Sequence, residues 1–184
     1  MKLSIKKGCV QISSKNAKLL IGDHISQSLN DFDIVVGNKF ENAKEFQGEA
    51  ITTPGEYEVL GVMIQALPSS NDSQINLISL DIEGVNIVFV RSDVALPTKK
   101  MLDQLGINHV LIIKGAQDAS KIRDLVDEFG PQFLLPIGSN PNELIGFSKK
   151  LGISMPEVQK ALSISIEDIQ TDEESQILQI VLLE

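Results

Sequence analysis

The sequence predicts a single α/β domain spanning residues 1–184, in which two mixed β-sheets pack face to face between helices as an αββα sandwich. The first half of the chain consists of short alternating or apolar segments separated by turn residues, which is typical of strands. After residue 90, strands alternate with amphipathic helical segments, and two further alternating segments close the chain. A chain of 184 residues is long enough for one well-buried core and short for two.

Strand-like segments fill the first half of the chain. The dipeptides Lys7-Gly8 and Glu83-Gly84 are turn sequences that can join neighbouring strands. The compact apolar run Asp33–Gly37 is typical of a strand buried on both faces, and Pro54-Gly55 is a tight-turn dipeptide. The predicted strands are Lys2–Lys6, Val10–Ser13, Ala17–Ile21, Asp33–Gly37, Glu49–Thr53, Tyr57–Leu67, Gln74–Ile82 and Val85–Val90.

Helical periodicity begins after residue 90. Pro97 stands where a helix would start, and Gly130 and Gly152 stand where helices would end. The predicted helices are Pro97–Leu105, Ala119–Phe129 and Pro141–Leu151. The predicted strands of this half are Val110–Ile113, Phe133–Ile137, Lys160–Ile166 and Gln176–Leu183.

The charge of the chain argues against nucleic acid as a partner. The formal net charge is −9 with a pI near 4.7, and such a surface repels phosphate backbones. Aromatic residues make up 4% of the chain and tryptophan is absent, so a base-stacking platform is not expected. Five lysines near the amino terminus are spread over a predicted hairpin without interleaved aromatic residues, which indicates a solvated strand face. They are Lys2, Lys6, Lys7, Lys15 and Lys18.

Apolar patterning and cysteine usage predict a cytoplasmic protein without a membrane partner. No apolar run approaches the ~20 residues of a membrane span, and the amino terminus has no continuous hydrophobic stretch typical of a signal peptide. Cys9 is the single cysteine, so no intrachain disulfide can form. It lies in an alternating segment, where we expect a small buried hydrophobe rather than a nucleophile.

The segment Gly55-Glu56-Tyr57-Glu58-Val59, followed by Gly61-Val62, resembles a motif of the metallo-β-lactamase superfamily. The resemblance extends along nearly the whole chain and is greatest to the small bacterial and archaeal branch of Zn-dependent hydrolases related to the ascorbate-pathway lactonase. It implies the sandwich fold and, in an intact member, a zinc-dependent hydrolase. Further landmarks in the same order are Lys18–Asp23, Phe32–Val36 and Leu134–Pro136.

The metal ligands that the resemblance implies are missing. The family has a His-x-His-x-Asp-His loop directly after the strand at Asp33–Val36, because several imidazoles and a carboxylate must converge on zinc. Here that loop is Gly37–Asn42, without a histidine, and the chain has two histidines in all, His24 and His109. The remnant metal-ligand candidates are Asp72 and Asp93. The remnant pocket that the resemblance implies comprises Lys39, Asn71, Asp72, Arg91, Asp93 and Gly138.

These observations predict a degenerate metallo-β-lactamase-fold protein without metal, cofactor or catalytic residues, retained for binding or assembly. One alternative is a metal-dependent hydrolase of lactones or phosphoesters with a non-standard residual site that holds zinc. Another alternative is an interaction protein that forms homo-oligomers. A residual acid–base pair, Asp23-His24, is disfavoured because adjacent strand residues point to opposite faces. Ligand and protein partners stay unspecified by the sequence.

Overall fold

The computed structural model describes the greater part of the chain. The described residues are 1–41, 45–68, 74–91, 101, 105–106, 108–115, 119–137, 149, 158–169 and 178–183. The predicted helices Pro97–Leu105 and Pro141–Leu151 lie almost wholly outside these ranges.

Two large mixed sheets form the centre of the structure. The first has six strands in the spatial order β15-β1-β2-β3-β5-β7, with antiparallel pairs among β15, β1, β2 and β3 and parallel pairs from β3 through β7. Its strands are β1 (Lys2–Lys6), β2 (Cys9–Ser13), β3 (Lys18–Ile21), β5 (Ile34–Val36), β7 (Glu49–Ile51) and β15 (Leu162–Ser163).

The second sheet has seven strands in the order β16-β13-β12-β11-β10-β9-β8. Pairs from β8 to β11 are antiparallel, whereas pairs from β11 to β16 are parallel. Its strands are β8 (Gly55–Val59), β9 (Val62–Pro68), β10 (Ile75–Ile82), β11 (Val85–Arg91), β12 (Val110–Lys114), β13 (Phe133–Ile137) and β16 (Gln179–Ile180). Both sheets are mixed, as the sequence predicts.

Three hairpins turn through two residues of positive φ, the second of them glycine. These turns are Lys7-Gly8, Leu60-Gly61 and Glu83-Gly84. Positive φ at both positions matches the twist of the flanking strands and favours glycine. The prediction of one strand over Tyr57–Leu67 is wrong, because the turn at Leu60-Gly61 divides this segment into two strands. The sequence does not indicate this turn, since leucine is not a typical turn residue. Gly55, predicted to lie in a turn, is instead the first residue of β8.

The main core lies between the sheets. Inward-facing aliphatic side chains of both sheets are almost fully buried there, as expected for two apolar sheet faces packed together. A second cluster lies between the outer face of the second sheet and helix α1 (Ala119–Phe129), which packs Ile122, Leu125 and Phe129 on that face. The helix ends as predicted, because Gly130 has φ +53 and its N–H donates to the Val126 carbonyl at 2.9 Å.

The outer face of the first sheet is covered by the segments after β3 and β5. Ile25 and Leu29 pack on outward-facing Cys9, Leu20 and Val35. Two short strands that the sequence analysis did not predict, β4 (His24–Ile25) and β6 (Lys39–Phe40), pair in parallel and hold these two segments together. The strand Leu162–Ser163 is shorter than the predicted Lys160–Ile166, and within the described residues 178–183 the last predicted strand is divided into Gln179–Ile180 and Leu182–Leu183.

A further small sheet lies near the end of the chain. The strand β14 (Val158–Gln159) pairs in parallel with β17 (Leu182–Leu183), and a 3-10 turn covers Ile166–Asp168. Among the helices within the described ranges, none has the length and apolar content needed to cross a membrane.

Candidate functional site

The strands β3, β5 and β11 end at one corner of the sandwich. This corner is where the sequence predicts the remnant site. The loop after β5 folds closely against the loop after β3. The Gly22 N–H donates to the Val36 carbonyl at 3.1 Å, and the backbone N–H groups of Asn38 and Lys39 both donate to the Asp23 carbonyl, at 3.2 and 3.0 Å. The two loops therefore form one hydrogen-bonded unit at this corner.

A glycine permits this close approach of the two loops. A Cβ atom at Gly37 would overlap the carbonyl oxygen of Gly22, and Phe40 would also be within contact distance. A side chain at residue 37 would therefore force the loops apart. Gly37 is the first residue of the loop in which the family resemblance implies histidines.

Asp23, Asn38 and Arg91 form a polar network at the corner. Arg91 Nη1 lies 2.6 Å from Asp23 Oδ1, and Asn38 Nδ2 donates to the same oxygen at 2.9 Å. Asn38 also bonds the backbone of Ile75 at the start of β10. Its Nδ2 donates to the Ile75 carbonyl at 2.9 Å and its Oδ1 accepts from the Ile75 N–H at 2.7 Å.

This network joins the two sheets. Asp23 and Asn38 follow strands of the first sheet, whereas Ile75 and Arg91 belong to strands of the second. The Arg91 side chain is 14% exposed and that of Asp23 is 31% exposed, so the charged pair is partly withdrawn from water. A guanidinium stays protonated and has no lone pair to offer, so it can neither act as a base nor bind a metal ion.

The two histidines lie toward opposite ends of β11, and His24 itself belongs to the short strand β4. His24 follows Asp23 at the corner, and its Nε2 is 3.1 Å from Glu41 Oε1 with both side chains about half exposed. The His109 Nδ1 accepts the backbone N–H of Asn86 at 2.9 Å, at the start of β11. Asn86 and Arg91 are five residue steps apart along the extended strand β11, which is about 16 Å.

His109 is held as a neutral ring that supports the fold. Desolvation by burial lowers the pKa of His109, and the negative charge of Asp81 opposes this only in part. Its Nδ1 accepts a hydrogen bond, which a protonated Nδ1 could not do. The His109 carbonyl also accepts the N–H groups of Gln132 and Phe133, both at 3.0 Å. His109 directly precedes β12, which begins at Val110 as predicted.

Cys9 is a buried side chain, as predicted. It is 2% exposed and packs with Leu20 and Ile25 on the outer face of the first sheet. Desolvation by burial raises the pKa of the Cys9 thiol, and the positive charge of Lys114 opposes this in part. The thiolate that nucleophilic chemistry needs is therefore disfavoured.

The Gly-Glu-Tyr-Glu motif has a structural position at the edge of the second sheet. The Tyr57 hydroxyl donates to the Thr53 carbonyl at 2.9 Å, and its ring packs against the main core. Glu56 and Glu58 point to the opposite, outer face, where they line a groove of about 400 Å³ with Met63 and other side chains. The motif forms the edge strand β8 of the second sheet, and none of its side chains joins the corner network.

The structure brings together only part of the remnant pocket named from the sequence. Arg91 lies in the corner network, and Lys39 lies in β6 beside it with an exposed side chain. Asn71, Asp72, Asp93 and Gly138 lie outside the described residues. Within the described ranges, no three His, Cys, Asp or Glu side chains are placed to hold a metal ion together.

Two solved structures are similar to this chain over its whole length. A Thermotoga maritima protein assigned as a Zn-dependent hydrolase of the metallo-β-lactamase superfamily superposes with a TM-score of 0.71 at 15% identity, covering 100% of this chain and 98% of its own. The metallo-β-lactamase fold protein YhfI from Bacillus subtilis gives a TM-score of 0.57 at 9% identity, with coverage of 100% and 96%.

This chain has the metallo-β-lactamase fold. The CmlA β-hydroxylase (E377D mutant) gives a TM-score of 0.55 at 9% identity over 74% of this chain and 45% of its own. No protein-family model and no curated protein sequence matches the chain. The fold predicted from the sequence is thus confirmed at identities that carry information about architecture alone.

Proposed function

We propose that this protein is a non-hydrolytic binding protein that retains the metallo-β-lactamase fold without its metal chemistry. One observation carries the proposal: the chain has two histidines, and they lie toward opposite ends of β11, His24 next to Asp23, which contacts Arg91, and His109 against Asn86. His109 is held by hydrogen bonds to Asn86 in β11 and to Gln132 and Phe133 at the start of β13, so it is not placed to share an ion with His24.

The donor set at the corner does not suit zinc. Catalytic zinc sites take three protein ligands from histidine, cysteine and carboxylate side chains. Here the described donors near the corner are Asp23, His24 and Glu41, which are not placed to hold one ion together, and Asp23 already accepts from Arg91 and Asn38. A fixed guanidinium within 2.6 Å of the same oxygen opposes a dication by charge repulsion as well as by occupying that lone pair.

The hydrogen bonds of the corner network also support a metal-free corner. In the family that the sequence resembles, this corner holds the ions that join loops from both sheets. In this chain, an arginine and an asparagine make the equivalent connections through hydrogen bonds to Asp23 and to the Ile75 backbone. The corner is thus stabilised by groups that need no metal, which leaves the scaffold free for a binding role.

A hydrolase assay with added zinc tests the proposal against its main alternative. The purified chain, saturated with Zn²⁺, is assayed with bis-p-nitrophenyl phosphate and with a simple γ-lactone. We expect rates equal to those of the same Zn²⁺ concentration without protein. Hydrolysis that rises with protein concentration and disappears in Asp93→Asn or Asp72→Asn would establish a non-standard metal site and overturn the proposal.

A further inference from the structure

A groove lined by lysines lies on the outer face of the first sheet. The strands β1, β2 and β3 form its floor, and the segment from Gln27 to Phe32 forms one wall. Its volume is about 420 Å³, which is within the range of small-molecule sites. It shares no residue with the corner network, so its properties do not depend on the metal question.

The charge of the groove is opposite to that of the whole chain. Lys6, Lys7 and Lys18 line it, and Asp31 is the opposing carboxylate, which leaves two positive charges in excess. The chain as a whole has a formal charge of −9. All three lysines are exposed, whereas Lys2 and Lys15 of the same region do not contribute to the lining. The lysines that the sequence indicated as a solvated face are thus divided into two sets by the fold.

The same groove contains a buried side-chain amide, that of Gln27. Gln27 is 8% exposed, and its Nε2 has no hydrogen-bond partner among the residues that the structure describes. A buried donor without an acceptor costs about 1–3 kcal/mol. The side chains of Gln11 and Ser13 add hydrogen-bonding groups to the floor. Phe32, which is half-buried, supplies an apolar surface at the wall.

We propose that this groove binds a small phosphomonoester, with its phosphate held by Lys6, Lys7 and Lys18. Several ammonium groups around a short cavity match a compact dianion, and lysine binds phosphate as a point charge. After a rotation of its amide, Gln27 would donate to an oxygen of the bound molecule. Phe32 would contact the uncharged part. The size of the groove suits a sugar phosphate or a mononucleotide rather than a polymer.

Titration of the whole protein with ribose 5-phosphate, followed by ¹⁵N–¹H correlation spectra, tests the proposal. We expect shifts confined to β1–β3 and the segment Gln27–Phe32, with saturation at millimolar ligand or below. The double variant Lys7→Gln/Lys18→Gln should raise the dissociation constant about tenfold, the loss of two charge contacts of modest strength. The matched control is Lys2→Gln/Lys15→Gln, which removes the same charge nearby and should change the constant less than about twofold.

Any of five results would overturn the proposal. The first three are no saturable shift with ribose 5-phosphate, an equal loss of affinity in both double variants, and equal affinity for ribose. The second would show attraction by net charge alone, and the third a neutral sugar site. Inorganic phosphate binding as tightly as ribose 5-phosphate would contradict the contact with Phe32, and tighter binding of a ten-nucleotide single-stranded DNA would indicate a nucleic-acid surface. None of these readouts depends on zinc, so the groove and the proposed function can fail separately.

Discussion

Arg91 Nη1 lies 2.6 Å from Asp23 Oδ1, and this contact connects the end of β11 in one sheet to the loop after β3 in the other. Asn38 completes the connection by donating to the same carboxylate and pairing with the Ile75 backbone. The two sheets are therefore held at this corner by a cation and an amide. The predictions below follow from this network and from the position of His109.

Replacing Arg91 should destabilise the fold. Arg91→Met keeps much of the apolar stem but removes the charged hydrogen bond to Asp23. Such a bond contributes about 1.5–3 kcal/mol. Because Asp23 is partly exposed, we expect a loss of about 1–2 kcal/mol in the free energy of unfolding. Urea denaturation measures it. Lys39→Met, an exposed lysine in neighbouring β6, is the matched control and should change stability by less than about 0.5 kcal/mol.

A double-mutant cycle separates the Arg91–Asp23 contact from other effects of each substitution. With Arg91→Met and Asp23→Asn, the coupling free energy should exceed about 0.5 kcal/mol, as found for residues in one hydrogen-bonded network. Additive single-variant effects would show that the contact does not hold the corner together.

At position 38, aspartate should lower the stability of the fold more than alanine does. Asn38→Ala leaves the N–H and carbonyl of Ile75 without their partner, which costs about 1–3 kcal/mol. Asn38→Asp retains the acceptor but loses the donor and sets a second carboxylate beside Asp23, so we expect a larger loss at pH 7 than at pH 4. Chemical denaturation at both pH values measures it. Equal stability of the two variants at pH 7 would contradict the donor role of Nδ2.

Gly37 should not tolerate a Cβ atom. Gly37→Ala would drive the two loops of the corner apart, and we expect a loss of more than about 3 kcal/mol or failure to fold. Gly8→Ala is the control, because its Cβ meets open space and the cost is the left-handed φ alone, about 1–2 kcal/mol. Thermal unfolding compares the two variants. A Gly37→Ala protein as stable as Gly8→Ala would show that the loops are not in close contact.

His109 should make stability depend on pH. Its pKa in the folded protein is lowered, mainly by desolvation, so the unfolded chain binds the proton more readily. The contribution is fully present above the unfolded value of about 6.5 and is lost as the pH falls through the lower folded value. We expect the wild type to lose stability between pH 7 and pH 5 more steeply than His109→Gln, as measured by urea denaturation across that range. A slope in His109→Gln as steep as that of the wild type would contradict this role of His109.

Much of the fold could be predicted from the sequence because apolar alternation and glycine turns are local signals. The helix Ala119–Phe129 and the strand Phe133–Ile137 were predicted with the residues at which they begin and end. The short parallel pair His24–Ile25 with Lys39–Phe40 could not be, since two-residue strands depend on contacts between distant loops.

The corner network was only partly predictable. Arg91 is in the pocket that the resemblance implies, but nothing local in the sequence connects it to Asp23, 68 residues away. Asn38 is not in the predicted pocket, because the resemblance implies metal ligands and gives no reason to expect an amide that pairs with the backbone of β10. One signal was present: Gly37-Asn38 offers a close approach followed by a side chain that can both donate and accept.

The central claim is that the corner holds no metal ion, and the metal content of the protein tests it most directly. The protein is purified without chelator, loaded with Zn²⁺ or Mn²⁺, passed through gel filtration and analysed by plasma mass spectrometry. Our account predicts far less than one ion per chain, in the wild type and in Asp93→Asn alike. One or more tightly held ions per wild-type chain, lost in Asp93→Asn or His24→Gln, would contradict it and show that a metal site exists where we infer a metal-free corner.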